Sequence, residues 1–437
     1  MVVHGEHRDV VSAHQSHVTP KSVVKPRDVA IIGAGPAGLF AAERLANAGH
    51  RVTIYERMPS PARKFLMAGR GGLNLTHSEP VAHVLARYGQ QSEPIQRAVE
   101  AFPPSQLVDW VHGLGIETFT GSSGRVFPKA MKSSPLLRAW LKRLASLGVI
   151  ILPRRTWTGI SKDGAIHVAD AGGEVETVRA DATLLALGGA SWPKLGSDGT
   201  WANVLRDAGV TVTALEASNA GVLIPWSEIV KSRFEGMPLK RIAIEAGGRR
   251  IRGEAIITRD GLEGGAIYAL SREIRDGLKN ATSAIMIDLR PDIDVVGLTQ
   301  RLAQGNRKDS LANALRKTAG LSPAAASLVR EAYTSPSRDP ATLAGQIKGV
   351  PLRVSGVAGL ERAISTAGGV SLEAVDENFM LRAVPGVFVA GEMLDWDAPT
   401  GGYLLQAAFS TAARAAAGMT QWLESETRGG DHEKHWK

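Results

Sequence analysis

The residues most clearly spaced for chemistry are Gly33, Ala34, Gly35, Pro36, Ala37 and Gly38. A short apolar run, Val29 to Ile32, precedes them, and a helical pattern from Pro36 to Ala48 follows. The first glycine permits a tight turn, the second clears space where a pyrophosphate meets the backbone, and the third lets helix and strand pack closely. The helix start then offers free N–H groups and a positive dipole end to the phosphates. Arg51 to Tyr55 reads as the next strand, and Glu56 closes it. A carboxylate at that point is suited to accept hydrogen bonds from an adenosine ribose, with Arg57 lying along the adenosine. Strand, helix and strand within about thirty residues form a βαβ unit that binds one dinucleotide.

Two later strands also end in glycine: Leu184 to Gly189, closing on Gly188 and Gly189, and Val387 to Glu392, closing on Gly391 and Glu392. A glycine-acid stop so far downstream is expected where an FAD protein holds the ribityl chain and pyrophosphate, and an NAD domain has no need of it. FAD is therefore the expected cofactor. NAD(P)H, if it is the electron donor, binds transiently in the same cleft, because the chain carries one complete dinucleotide motif. In this architecture the strand near Trp157 passes the adenine.

Arg63, Lys64 and Arg70 place cations in a glycine-rich loop, where a diphosphate can pair with them. Gly69, Gly71 and Gly72 allow the backbone to approach the cofactor, and Asn74 can donate to and accept from a polar ring edge. Thr400, Gly401, Gly402, Tyr403 and Leu404 open the last helix, whose N-terminus is expected to face the flavin pyrimidine and stabilise negative charge there on reduction. Arg125, with Phe127 and Pro128, is a candidate border of the substrate side. No catalytic acid or base is assigned; the candidates are His77 and Tyr403, with Asp397 and Arg259 as further possibilities.

Taken together, the separated motifs resemble a family of bacterial FAD-dependent flavoproteins that includes aminoacetone oxidase and a reductase of bile-acid intermediates. The resemblance runs from about Val29 to Met419. It rests on Lys64 to Thr76, Gly124 to Pro128, Gly188 to Gly199, Gly253 to Thr258 through Ser271, Thr366 to Val370, and Gly391-Glu392 through Gly401 to Gln406. This chain departs from the family pattern at Leu73, where cysteine is common, at Thr258-Arg259-Asp260, at Gly264-Gly265 and at Leu404, which marks a divergent branch. The resemblance implies hydride transfer between FAD and a small organic substrate, as an amine-type oxidase or dehydrogenase or as an NAD(P)H-driven reductase of a carbonyl-conjugated double bond. An RNA-modifying flavoprotein and a non-catalytic flavin sensor are the alternatives.

These residues require a scaffold of the α/β class: a Rossmann-like FAD-binding domain, glutathione-reductase-like, interrupted by a β-rich insert and a small helical subdomain. The expected limits are 28–193 with 350–423 for the discontinuous FAD-binding domain, 194–294 for the β-rich insert and 295–349 for the helical part, with polar tails at 1–27 and 424–437. Ser134 is expected to cap a helix that starts at Pro135.

Composition narrows the function further. The 437 residues contain no cysteine, which excludes disulfides, thiol nucleophiles and thiolate metal sites. Lys+Arg 51 against Asp+Glu 43 gives a formal +8, spread along the chain with no basic arm. Aromatic residues are only 5%, with no aromatic-basic stacking pattern, so no nucleic-acid partner is expected. No apolar stretch reaches the roughly 18 residues of a membrane span, and no secretory segment is apparent, so a cytoplasmic protein with no membrane partner is expected. Six of the eleven histidines lie in the two tails: His4, His7, His14, His17, His432 and His435. No metal site is expected.

Overall fold

The computed structural model describes residues 25–89, 92–280, 284–306 and 309–430. The six tail histidines lie outside the described residues. At the centre is a five-stranded parallel sheet in the order Val387–Val389, Ala182–Leu185, Asp28–Ile32 (β1), Arg51–Glu56 (β2) and Ile150–Pro153. Val29–Ile32 of β1 and the Ala182–Leu185 strand are buried on both faces, as a parallel sheet covered by helices demands. Helix α1 (Pro36–Asn47) and the C-terminal helix (Tyr403–Gly430) pack together on one face. Phe40 of α1 meets Phe409 at 5.0 Å and Trp110 at 5.3 Å between ring centroids, and Trp110 meets Trp140 at 4.7 Å. This aromatic cluster holds the two helices at fixed spacing above the sheet.

The insert is a seven-stranded sheet whose long hairpin, Pro238–Ala246 with Arg249–Thr258, turns at Gly247 and Gly248. Both glycines have positive φ, +55° and +77°, which a two-residue hairpin turn of this hand requires. Leu298 and Leu302 of one helix, and Leu343 and Ile347 of another, share one buried core with Ile244, Ile257 and Ile287 of the sheet. The helices at 295–349 and the β-rich segment thus form one packed unit. Val350–Arg353 and Gly356–Val357 are the two edge strands of this sheet, so the chain returns to the cofactor side only after 357, later than the expected 350. Conversely, Trp201 and Leu205, beyond the expected boundary at 193, belong to a core shared with Ile32 and Leu185. A two-stranded ribbon, Val212–Ser218 with Ser365–Val370, joins the two parts.

Two local expectations are corrected. The helix expected from Pro135 runs Ser133–Ser146, and its cap position is Lys132, with no side-chain cap. Leu136, Leu137, Trp140 and Leu144 are buried along it, so packing rather than a Ser134 cap sets its start. The final helix continues to Gly430, into the stretch from 424 expected as a polar tail. Among the described residues no helix is long and apolar enough to cross a membrane, and no three His, Asp or Glu side chains are grouped to hold a metal.

Candidate cofactor and active site

Parallel pairing brings four strand ends to one level. Ile32 is in register with Tyr55 and Leu185, and Leu185 with Val389. Gly33, Glu56, Ala186 and Gly391 therefore emerge at the same carboxyl edge of the sheet, where open α/β sheets bind their ligands. A cleft of about 670 Å³ opens there. Gly33 has φ +102°, and a Cβ on it would lie 2.4 Å from the Ala186 carbonyl oxygen. A Cβ on Gly38 would lie 2.0 Å from the Gly33 carbonyl oxygen, whereas a Cβ on Gly35 would meet nothing within 4 Å. Close packing of the protein itself requires the first and third glycines. The middle one faces the cleft. Helix α1 has no side-chain cap and no acidic residue in its first turn, which leaves its N–H groups and dipole to an anion.

Glu56 lies at the same edge. Its Oε2 accepts from Ala34 N at 2.8 Å and its Oε1 from Met58 N at 2.7 Å. Burial raises its pKa above the ordinary carboxylate value, opposed by those two backbone donors. Each oxygen has a lone pair left for a ribose diol. Arg57 pairs with Asp198, which the sequence reading did not single out. Burial works against the Asp198 charge, but the bonds from Arg57 and Thr200 hold its pKa below the ordinary value. Trp157, expected near the adenosine, also lines the cleft, with Arg155 and Tyr55. Trp157 is buried and its indole Nε1 has no partner.

Also in the cleft, the Lys64 ammonium bonds Ser191 Oγ at 2.6 Å and Glu392 Oε2 at 2.7 Å. Glu392 also accepts from Gly189 N at 3.3 Å and Thr366 N at 3.1 Å. One carboxylate thus ties together four segments distant in sequence. Gly188, Gly391, Glu392, Gly72, Asn74, Gly401, Gly402 and Leu404 line the cleft here. Gly189 lies just behind; a Cβ on it would lie 2.4 Å from Thr366 Oγ1. Gly402 has φ +97° and packs against the Thr76 backbone. Its turn delivers the start of the C-terminal helix to the cleft.

The remaining expected residues are placed elsewhere. Gly69 packs on Ser133, and neither it nor Gly71 lines the cleft. Arg70 sits in the same turn, and its side chain lies outside the described set. His77 and Tyr403 are stacked at 5.5 Å between ring centroids, off the cleft. The Tyr403 hydroxyl donates to Glu79 Oε1 at 2.6 Å, and burial, reinforced by Glu79, pushes its pKa up. His77 Nε2 lies 2.9 Å from the Ser123 carbonyl oxygen. Both rings therefore brace the helix start from outside. Arg259 is exposed in a turn of the insert. Asp397 accepts from Ser218 at 2.6 Å and Arg275 at 2.7 Å, locked between the two parts of the molecule.

Sequence reading also missed Asn219. It is buried with φ +50°, and its Nδ2 donates to Ser365 Oγ at 2.7 Å and the Ala398 carbonyl at 2.8 Å, while its Oδ1 accepts from Thr400 N at 3.1 Å. No local pattern announces such a residue, because every partner of its side chain is more than a hundred positions away.

FAD fits this site on three structural grounds. A bare helix N-terminus awaits an anion, Gly35 leaves the approach open, and three buried polar atoms without partners, Arg63 Nε, Asn74 Oδ1 and Trp157 Nε1, belong to residues that line the cleft. Arg63 is close enough to Glu56 to lower its pKa electrostatically, against the larger effect of burial.

Comparison with known proteins agrees. Residues 27–418 match the family described as HI0933-like protein Rossmann domain. The chain is 25% identical over 402 residues to the ribosomal RNA dihydrouridine synthase of Escherichia coli K12, covering 88% of this chain and 96% of that protein. It is 26% identical over 418 residues to the 3-dehydro-bile acid delta(4,6)-reductase of Clostridium scindens, covering 89% and 98%. In fold it resembles a flavocytochrome c3 fumarate reductase in its open conformation, with TM-score 0.51 and 15% identity over 91% of this chain and 79% of that one. A 3-ketosteroid delta1-dehydrogenase from Sterolibacterium denitrificans gives TM-score 0.50 and 13% identity over 91% and 99%. The last two likenesses concern the fold alone.

Proposed function

The chain belongs to the HI0933-like family of FAD-binding Rossmann oxidoreductases, and from that premise we propose that it saturates a carbon–carbon double bond conjugated to a carbonyl, with a reduced nicotinamide dinucleotide as electron source. One observation carries this direction. Relatives aligned over nearly the whole chain are named a delta(4,6)-reductase and a dihydrouridine synthase. In chemical terms both names describe hydrogen added across a ring double bond next to a carbonyl. The oxidase direction has no comparable support.

FAD, when bound, would relay a hydride from the nicotinamide to the substrate. In that reaction the substrate's β-carbon would gain the hydride, the alkene electron pair would move toward the carbonyl oxygen, and the α-carbon would take a proton from solvent. The roles of the chain are positional and electrostatic. Gly35 and the start of α1, with Arg63, would hold the diphosphate, Glu56 the ribose, and the Gly401–Gly402 turn the flavin's polar ring edge.

A second reading places the same reaction on a base carried by RNA. Two relatives bear ribosomal RNA in their names, and the formal charge of +8 is compatible with a polyanion. Anaerobic addition of NADH or NADPH to the FAD-loaded protein tests the proposal. The flavin band should bleach and return on adding 2-cyclohexen-1-one or a 3-oxo-4-ene steroid. A flavin that resists both nicotinamides but is bleached by a small amine overturns it. Return of colour only with an RNA fragment selects the second reading.

A further inference from the structure

We propose that Arg125 is the residue that grips the substrate's carbonyl oxygen. This rests on the reductase reading above and adds to it the substrate group recognised and the side chain that recognises it.

Arg125 begins the strand Arg125–Pro128, which pairs with Thr76–His77, with His77 opposite Arg125. Gly402 packs against the Thr76 backbone, so this small sheet abuts the turn before the C-terminal helix. That location puts Arg125, which lines the cleft, beside the Gly401–Gly402 turn, where the flavin ring would lie on the proposed reading. The side chain is exposed at the rim, and among the described residues its guanidinium has no hydrogen-bond or ion-pair partner.

The other cations of the cleft are accounted for. Arg57 is paired with Asp198, Lys64 with Glu392, and Arg155 lies 3.9 Å from Asp170. Arg63 stands beside Glu56, where the diphosphate belongs. The flavin's own ring edge would have the backbone donors of Gly401 and Gly402, which line the cleft. Arg125 therefore remains for a group that arrives from solvent. A guanidinium offers parallel N–H donors and keeps its charge at every relevant pH. Directed at a carbonyl oxygen, it bonds the ground state modestly and the developing enolate strongly, which is the requirement for catalysis of β-carbon reduction. Leu404, Leu405, Leu73 and Ile364 line the same end, with Ile364 37% exposed. The substrate class is thus an otherwise apolar unsaturated ketone.

The test uses the FAD-loaded protein and its Arg125→Ala and Arg125→Lys variants. The first probe is 4-hydroxybenzaldehyde, whose phenolate oxygen mimics an enolate and whose binding is read from the flavin spectrum. Arg125→Ala should weaken binding by about 10- to 100-fold, the loss of one charge-assisted hydrogen bond, and Arg125→Lys should recover part of it. FAD content and midpoint potential should stay as in wild type. In the second arm, anaerobic reoxidation of the reduced protein by 2-cyclohexen-1-one should slow in the same order. Equal phenolate affinity in wild type and Arg125→Ala overturns the proposal, as does a wild-type protein that binds no phenolate. A lowered midpoint potential with unchanged affinity overturns it too, because Arg125 would then serve the flavin. If wild type binds phenolate through Arg125 but no enone reoxidises it, the reductase reading fails while the oxyanion grip stands.

Discussion

The two ends of the cleft are built by different means. At the diphosphate and adenosine end, the decisive groups are backbone N–H donors, three glycines and Glu56, all within one βαβ unit. Around Glu392 and the start of the C-terminal helix, the work falls to side chains from distant segments: Lys64, Ser191, Thr366 and Glu392 converge on one ion pair, and Asn219 fastens the 398–400 backbone from the insert. On the proposed reading, the first end serves a group whose charge and shape are constant, the diphosphate. The second must also admit a substrate, and it leaves Arg125 uncommitted. The contrast separates a cradle set by local geometry from a reaction chamber set by tertiary contacts.

The largest expected effects test the cradle. Gly38→Val forces a side chain into the Gly33 carbonyl, with even its Cβ only 2.0 Å from that oxygen, so the protein should fail to fold. Gly35→Val meets no protein atom within 4 Å at its Cβ, so it should fold and lose FAD. Circular dichroism and the visible spectrum of the purified variants separate the two. A yellow Gly35→Val protein would contradict the placement of the diphosphate.

A smaller effect is expected at Glu56. Glu56→Gln removes the charge from the ribose contact and should weaken FAD binding by about 10- to 100-fold, equivalent to about 1.5–3 kcal/mol. In the wild type, a ribose hydroxyl bonds better to the carboxylate than to the acid. Burial holds the Glu56 pKa above the ordinary value of about 4.3, so affinity should begin to fall at a higher pH than an ordinary glutamate would cause. Fluorescence titrations of the apoprotein with FAD across the acid range measure both, and the Gln variant should lack that pH dependence.

The smallest effect is expected at Tyr403. Tyr403→Phe removes one hydrogen bond to Glu79 and should cost about 1 kcal/mol of stability, with flavin reduction unaffected. Glu79 is held below the usual carboxylate range by Arg87 first, with burial opposing and Tyr403 assisting. A lowered carboxylate adds stability above its unfolded value and loses it as pH falls through its native value. Without the Tyr403 hydroxyl the native value rises, so the acid limb of a plot of Tm against pH should move to higher pH. A large loss of flavin reduction instead would return Tyr403 to the chemistry and blur the contrast between the two ends.

By itself the sequence determined the βαβ unit, the close-packed glycines Gly33 and Gly38, the FAD cofactor and the order of a nucleotide-binding part interrupted by an insert. These are legible because a period of hydrophobicity or a backbone angle is a local property: Gly33 at φ +102° and a buried apolar β1 need only their own neighbours. The tertiary structure alone decided that His77 and Tyr403 stack off the cleft, that Lys64 spends its charge on Glu392, and that Asn219 reaches Ser365 and Thr400. It also decided that Val350–Arg353 stays with the inserted sheet. Side-chain direction and charge pairing depend on which distant segment arrives opposite, and spacing along the chain carries no record of that meeting. Arg125 shows both sides: its type and its place in Gly124–Pro128 were visible in the chain, and only the fold left it at the cleft without a partner.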